Sequence, residues 1–482
     1  MKGIRKGWAY TGLMRYLHCL ILCAITLRAD DKADVARQMD GRAAHFGEIS
    51  RQIWEFAEPG FKEVKSASLL RSELKAAGFT IADSTAGIPT AFIASWGQGQ
   101  PVIGIMGEYD ALPSLSQDAV PERKPLVAGG PGHGCGHNLL GTASLFAAIS
   151  IRNWMQEKKI AGTIRFYGTP AEEGGGGKLY MIRAGAFRDA DVILSWHPGD
   201  RNAVNLASSL AIISATFRFH GKPAHAAIAP ESGRSALDGL MIMTNAVEFL
   251  REHVPDFTRI HYVITNGGAA ANVVPETAEL SLYARHPSMP VLDGIWERIL
   301  KCAQAGALAS ETQVEWKVTG SDYNQLANDA LGALIDRNMR SLGGFAYSAE
   351  EQAFAEKLPS ASREPAAHEQ IGKPFEGQSM NSTDAGDVSW VVPMGSFETA
   401  TFAPGIQPHT WQAAACAGSA IGRKGMVLAA KTLALTAMDL FTDPAQVAAA
   451  KASFEKRRAG FEYRSRLPVD QAPPLQYRDS AR

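Results

Sequence analysis

The chain reads as an α/β protein in which a mixed, largely parallel sheet is flanked by helices and interrupted by an inserted ferredoxin-like α+β unit. Three observations predict this. Short apolar and β-branched runs alternate with helix-period runs over roughly the first two hundred residues. The order then changes to β-α-β-β-α-β before the chain returns to its first pattern. Finally, Glu and His side chains of the metal-binding kind follow directly on two apolar strand runs, where open α/β sheets gather their ligands.

The elements follow in order. Lys2, Arg5, Lys6 and Arg15, then the apolar run Tyr16 to Leu27 and Ala29, resemble a signal peptide and predict export; without cleavage and export the protein is cytoplasmic. The run is shorter than the roughly twenty residues a spanning helix needs, so no stable membrane insertion is expected. From Asp34 to Glu58 the apolar residues Val35, Met39, Phe46, Ile49 and Ile53 recur at helical spacing up to Pro59-Gly60, and a second helix covers Glu63 to Ala77. Strands are expected at 91–96 and 102–107, a helix at 139–157, a strand at 163–168, a helix at 178–183 and a strand at 191–196. The inserted unit comprises strands at 210–220, 260–264, 277–284 and 313–318 with helices at 234–252 and 292–309. Helices at 329–340 and 425–440 return to the first unit, with a polar, Pro-rich irregular excursion at about 354–379 between them. The resulting partition is a signal segment at 1–30, a catalytic unit at 31–208 and 326–482, and a lid at 209–325.

Composition narrows the function. With 482 residues and 46% hydrophobic content the chain can bury a large core, and a formal net charge of −1 without long like-charge runs argues against a nucleic-acid partner. A small molecule is the expected partner. The five cysteines are scattered too widely for a disulfide framework, and Cys302 and Cys416 read as small buried residues.

The densest chemistry lies in Gly132-His133-Gly134-Cys135-Gly136-His137-Asn138-Leu139-Leu140-Gly141. Its glycines admit turns closed to other residues, while Cys and His supply ligands for divalent transition metals. His133 is read as a loop residue. Adding Glu173, His197 and His409 to Cys135 and His137 gives five donors, enough for a binuclear site in which two divalent ions share a water and lower its pKa. A thiolate, three imidazoles and a carboxylate suit zinc. Glu172 fits the general base, because neighbouring residues on an extended segment point differently. One alternative is a Cys135 nucleophile with His137 as its base, although thiolate ligation explains the neighbouring imidazole equally well. Another is a catalytically silent metal-binding protein, for which Glu172 is dispensable.

Glu108-Tyr109-Asp110-Ala111-Leu112-Pro113, Gly132 to Gly141, Pro170-Ala171-Glu172-Glu173-Gly174, Trp196-His197-Pro198, Gly221-Lys222-Pro223-Ala224-His225-Ala226, Ala271-Asn272-Val273-Val274-Pro275 and the late His409 occur in that order. Together they resemble the co-catalytic metallo-amidohydrolases that include aminoacylases, hippurate hydrolase and plant auxin-conjugate hydrolases. The segments 135–141, Ser382 to Trp390 and His409 to Met426 look most like the B-subunit type of aminobenzoyl-glutamate hydrolase. The resemblance spans about 35–470. It implies a catalytic domain with two metal ions, manganese or zinc, and an inserted lid that also dimerises, most simply as a homodimer or else with a related subunit. It carries metal ligation to Cys135, His137, Glu173, His197 and His409, and the acid/base role to Glu172. Asp110 matches a residue that orients a ligand, His225 one that stabilises the developing oxyanion, often from the partner, and Asn272 a substrate-binding position. Arg285 stands where a substrate carboxylate is bound, or is a strand-end surface residue. The implied reaction is hydrolysis of the amide of an N-acyl or N-aroyl amino acid such as aminobenzoyl-glutamate, with a dipeptidase or carboxypeptidase as the close alternative. Asn138 departs from the common pattern, which has Asp there.

Overall fold

The computed structural model describes residues 10–359 and 367–478, with side chains from residue 30. Residues 1–9 of the signal-like segment lie outside the described residues, and of 10–29 only the helical backbone is described. Helix α1 (Tyr10–Phe56) carries Val35, Met39, Phe46, Ile49 and Ile53 as one buried stripe and ends ahead of Ala57, whose φ is 44°. It leads into α2 (Val64–Ala76), β1 (Thr80–Asp83), β2 (Phe92–Gln98), β3 (Val102–Gly107), α3 (His137–Lys158), β4 (Gly162–Gly168), α4 (Gly177–Arg183), β5 (Val192–Gly199) and the short β6 (Ala203–Val204). Much later, β11 (Met394–Ala400) joins the same sheet. The seven strands run in the order β1-β2-β4-β3-β5-β11-β6, with β4, β3, β5 and β11 mutually parallel and the two edges antiparallel.

Both faces of this sheet are covered, as a parallel core requires. Along β5, Val192, Leu194 and Trp196 point into the cluster that contains α1 and α3 residues, whereas Ile193 points into the cluster with Leu179 and Met181 of α4. The strand ends therefore open onto a single rim. There the loops gather.

The second sheet is built from β7 (Ala211–His220), α5 (Ala236–Leu250), β8 (Arg259–Asn266), β9 (Thr277–His286), α6 (Met289–Ala309) and β10 (Gln313–Asp322). Its antiparallel order β10-β7-β9-β8 is that of a ferredoxin-like unit. Period-2 alternation along β7 sends Ile213, Ala215, Phe217 and Phe219 under the two helices, while Ile212 and Ser214 face the rim of the first sheet.

The chain returns through α7 (Asp329–Leu342), α8 (Ala349–Lys357), α9 (Ala385–Val391), β11, α10 (Trp411–Gly418), α11 (Ala420–Thr442) and α12 (Pro444–Arg458). Among the described residues α11 is the one helix long and apolar enough to cross a membrane, and 78% of that stretch is buried inside the molecule, where it packs on α3. The expected excursion at 354–379 is more regular than its composition suggests. α8 occupies its start, and Ile371, Phe375 and Gln378 pair in parallel with Asn202, Asn205 and Ser208.

Candidate metal centre

Just past β3, Asp110 is buried and supports two candidate ligands at once. Its Oδ1 lies 2.9 Å from His137 Nδ1, and its Oδ2 accepts the backbone N–H of Glu173 at 2.9 Å. A carboxylate opposite Nδ1 requires the proton there, which in the neutral ring leaves the Nε2 lone pair of His137 bare. That nitrogen is buried and has no hydrogen-bond partner, and it lies 3.3 Å from Glu108 Oε2. His137 occupies the first turn of α3 because Gly136 precedes it with φ +77°; a Cβ there would sit 2.8 Å from Pro198. His133 is a loop anchor, its Nε2 facing the Ile53 carbonyl at 3.0 Å.

The other candidate ligands come from two strand ends and from the loop ahead of α10. His197, within β5, directs Nδ1 to the Pro198 carbonyl at 2.8 Å, which again leaves Nε2 bare, and that atom lies 3.4 Å from Cys135 Sγ. After β4, Ala171 takes φ 58° and turns the chain so that Glu172 and Glu173 diverge. His409 holds φ 63°, its N–H donates to Gly134 at 2.8 Å, and the following Thr410 caps α10. Left-handed backbone at a non-glycine residue is strain that the surrounding structure must hold, and here it aims an imidazole. His409 Nε2 lies 3.3 Å from Glu173 Oε1.

Donor atoms of Cys135, His137 and His197 lie within 4.8 Å of one another, as do those of Cys135, Glu173 and His409. The two triads share the thiol. A third group, Glu108, His137 and Glu172, meets the same limit. The cluster fits a divalent metal: bare imidazole nitrogens face a thiol and carboxylates, and Glu173 Oε1 is also buried without a hydrogen-bond partner. Burial and the charge of Glu173 push the Cys135 thiol well above its ordinary range, which is unfavourable for a free thiolate nucleophile and is what a bound cation reverses. Burial, with Glu108 and Glu173 beside it, likewise raises Glu172 well above the usual carboxylate range.

Sequence reasoning assigned no role to a buried ion-pair network behind these ligands. The Lys178 ammonium, fully buried, bonds Glu108 Oε1 at 2.7 Å and Asp384 Oδ1 at 2.6 Å, while Asp384 Oδ2 accepts the Lys178 backbone N–H at 3.0 Å. Burial opposes the charge of Lys178, but Asp384 and Glu108 outweigh it and raise its pKa. This clamp ties α4 to the start of α9 and fixes Glu108 beside His137. No local signal marks a lysine whose partner lies 206 residues away. Asn138 points elsewhere, donating to Ser50 Oγ at 3.0 Å and the Ala417 carbonyl at 3.1 Å, so its departure from Asp is a matter of helix packing.

The cluster opens on a cavity of about 710 Å³, roofed by Ile212, Ser214, Tyr283 and Asp322 of the second sheet. Glu172 lines it. His225 and Asn272 do not; both stand exposed at the outer rim, where His225 bridges to Val273 and its Nδ1 accepts the N–H groups of Ala227 and Ile228 at 3.2 Å. Arg285 pairs with the cavity-lining Ile212 across β7 and β9 and so shares its face, and its Nε is buried without a hydrogen-bond partner. That placement argues against a free surface residue.

Imidazoles, a thiol and a carboxylate converging at the open ends of a parallel sheet, with a second carboxylate facing the adjoining cavity, define a metal-dependent hydrolase. The chain belongs to Peptidase family M20/M25/M40, whose model matches residues 104–410. It is 40% identical over 445 residues to the B chain of the two-part p-aminobenzoyl-glutamate hydrolase of Escherichia coli, covering 86% of this chain and 91% of that protein. It is 31% identical over 448 residues to the Xaa-Arg dipeptidase of Mus musculus, covering 88% and 92%. Among solved structures, a Bacillus subtilis dinuclear metal-binding peptidase shares the fold with a TM-score of 0.60 at 17% identity, over 83% of this chain and 99% of that one. The protein is thus a hydrolase acting on amide or peptide bonds.

Proposed function

We propose that the protein hydrolyses the amide bond of N-aroyl or N-acyl amino acids with a free α-carboxylate, aminobenzoyl-glutamate being the nearest substrate. The observation that carries this reading is the pair of donor triads sharing Cys135, with Glu172 beside them on the cavity wall. Two divalent ions, manganese or zinc, held by Cys135, His137, Glu173, His197 and His409, would polarise the carbonyl and acidify a water. Glu172, kept protonatable by burial, takes that water's proton and delivers it to the leaving amine nitrogen. Asp110 holds His137 and Glu173 in place. Arg285 serves the substrate by a charge-assisted hydrogen bond to its carboxylate, and Asn272, exposed on the lid beside Val273, serves it from a second copy of the chain.

His225 completes the site from a second copy of the chain, donating through Nε2 to the developing oxyanion. Exposed apolar residues on the lid favour such a dimer: Met241, Ile242 and Phe249 on α5, and Val263 and Ile264 on the edge strand β8. The Escherichia coli relative carries the name of one of two subunits, which keeps a related chain open as the partner. A dipeptidase is the second reading, favoured by the likeness to the Xaa-Arg dipeptidase.

A panel of N-aroyl amino acids, N-acyl amino acids and dipeptides, assayed with the metal-loaded protein, separates these readings. Preferential turnover of N-aroyl-glutamates is expected, whereas turnover of dipeptides alone selects the second reading. Elemental analysis should find about two ions per chain. Full activity with one ion refutes the two-metal site. Export, proposed from the basic and apolar pattern before residue 30, is tested by fractionating cells that express the full chain.

A further inference from the structure

Beyond α12 the chain runs back across the molecule to the metal centre. Phe461 and Tyr463 pack on Tyr323 and Trp390 at the lid's core, and the Tyr323 hydroxyl donates to the Arg464 carbonyl at 3.0 Å. Arg466 pairs with Asp293 of α6. Arg183 of α4 then donates to the Pro468 carbonyl at 2.7 Å and to that of Gln471, so the segment leaves the lid and crosses to the first sheet. At Tyr477 and Arg478 it reaches the backbone of Glu173. The Tyr477 hydroxyl donates to the backbone carbonyl of Glu173 at 3.2 Å, and Arg478 bonds the same oxygen. Tyr477 is packed edge-on against Phe61, and a Cβ on Gly60 would lie 2.4 Å from its hydroxyl, so the backbone there is shaped to admit this ring.

One wall of the cavity consists of Leu467, Pro474 and Tyr477 together with Leu179 and Tyr180 of α4. It is apolar and aromatic but for Gln471, whose Nε2 donates to the Tyr180 hydroxyl at 3.3 Å. The guanidiniums near it, Arg183 and Arg478, are already spent on backbone carbonyls, whereas Lys317 lines the cavity from the opposite, lid side. A substrate with one flat apolar end and one carboxylate end thus meets two walls of different chemistry. Aromatic faces favour offset or edge contacts with another ring, worth more than their buried area alone.

We infer that the C-terminal segment 461–478 is the acyl-side wall of the substrate site, with Tyr477 selecting flat aromatic acyl groups while its hydroxyl positions Glu173. This rests on the amidohydrolase reading above, because it assigns the acyl half of that substrate.

The test compares N-benzoyl-glutamate with N-acetyl-glutamate on the full metal-loaded chain, reading both kcat/KM and calorimetric affinity. Tyr477→Leu keeps apolar bulk and removes the ring, so the benzoyl-to-acetyl ratio should fall roughly three- to tenfold, the range expected for one aromatic contact. Tyr477→Phe should preserve that ratio and lower kcat for both substrates, since it keeps the ring and loses the bond to the Glu173 carbonyl. Should the leucine variant be unstable, Leu467→Asn examines the same wall, with the same expected fall in ratio. An unchanged ratio in a folded wall variant, or an equal loss for both ligands, overturns the inference and leaves the hydrolase reading intact. If wild-type protein binds both ligands with a benzoyl preference that Tyr477→Leu abolishes, yet cleaves neither, the hydrolase reading falls and the wall stands.

Discussion

His137 and His225 are both fixed through Nδ1, with opposite consequences. His137 Nδ1 faces the Asp110 carboxylate and carries the proton, so in the neutral ring Nε2 is a lone pair sealed in the protein. His225 Nδ1 accepts two backbone N–H groups, so in the neutral ring the proton sits on Nε2, which stands at the exposed rim. The first is prepared to ligate a cation and the second to donate to an anion. His197 follows His137, with Nδ1 on a carbonyl. The difference separates a cluster of donors gathered within one chain, the floor, from a lid imidazole, the roof, that stands exposed and outside the lining of the cavity.

The sharpest break in the floor is Glu172→Gln. On the proposed division of labour, removing the acid/base carboxylate while leaving the five proposed ligands should lower kcat by roughly 10²- to 10⁴-fold with metal content unchanged. Loss of metal instead would make Glu172 a ligand. Asp110→Asn weakens the support of both His137 and Glu173, and metal affinity measured against a competing chelator should drop about 10- to 100-fold. An unaltered affinity would show that the ligands hold their own orientation.

The roof is tested by subunit exchange. His225→Ala and Glu172→Gln should each be inactive, and an equal mixture should recover about a quarter of wild-type activity, because half the dimers are mixed and each has one intact site. No recovery, in a mixture shown by mass measurement to contain mixed dimers, returns His225 to its own subunit or removes it from the chemistry.

The smallest effect concerns Glu63, buried beneath the floor, where it accepts the Ala171 N–H at 2.9 Å. Burial, then the nearby Asp110, raise its carboxyl from 4.5 to about 8. The folded protein therefore keeps a proton that the unfolded chain releases, and stability falls as pH rises through that window. Glu63→Gln should flatten the decline in Tm between about pH 5 and 8. An unchanged slope would mean that Glu63 does not titrate in the fold.

The strands β3 to β5 and β7 to β10 were legible because their apolar runs are bounded by clear turns, and the ligands at their ends stood out for the same reason. β11 escaped notice: Met394-Gly395-Ser396-Phe397-Glu398-Thr399-Ala400 has little β signal of its own and is a strand because β5 pairs with it. α10 and α12 were hidden by small and charged residues whose helicity depends on packing and on the Thr410 and Asp443 caps. Roles for Lys178 and Tyr477 could not be read locally, since each acts on a residue hundreds of positions away.

The shared thiol of Cys135 also sets an order of events in the life of the chain. Its first triad is complete once His197 has been made, but the second waits for His409, after the whole lid has been synthesised, and the Glu173 carbonyl gains its Tyr477 partner later still. A nascent chain, or one ended before His409, can therefore offer at most four of the five donors. On the proposed five-ligand site, full loading with metal becomes a certificate that translation has passed the lid and that both halves of the first sheet have found each other.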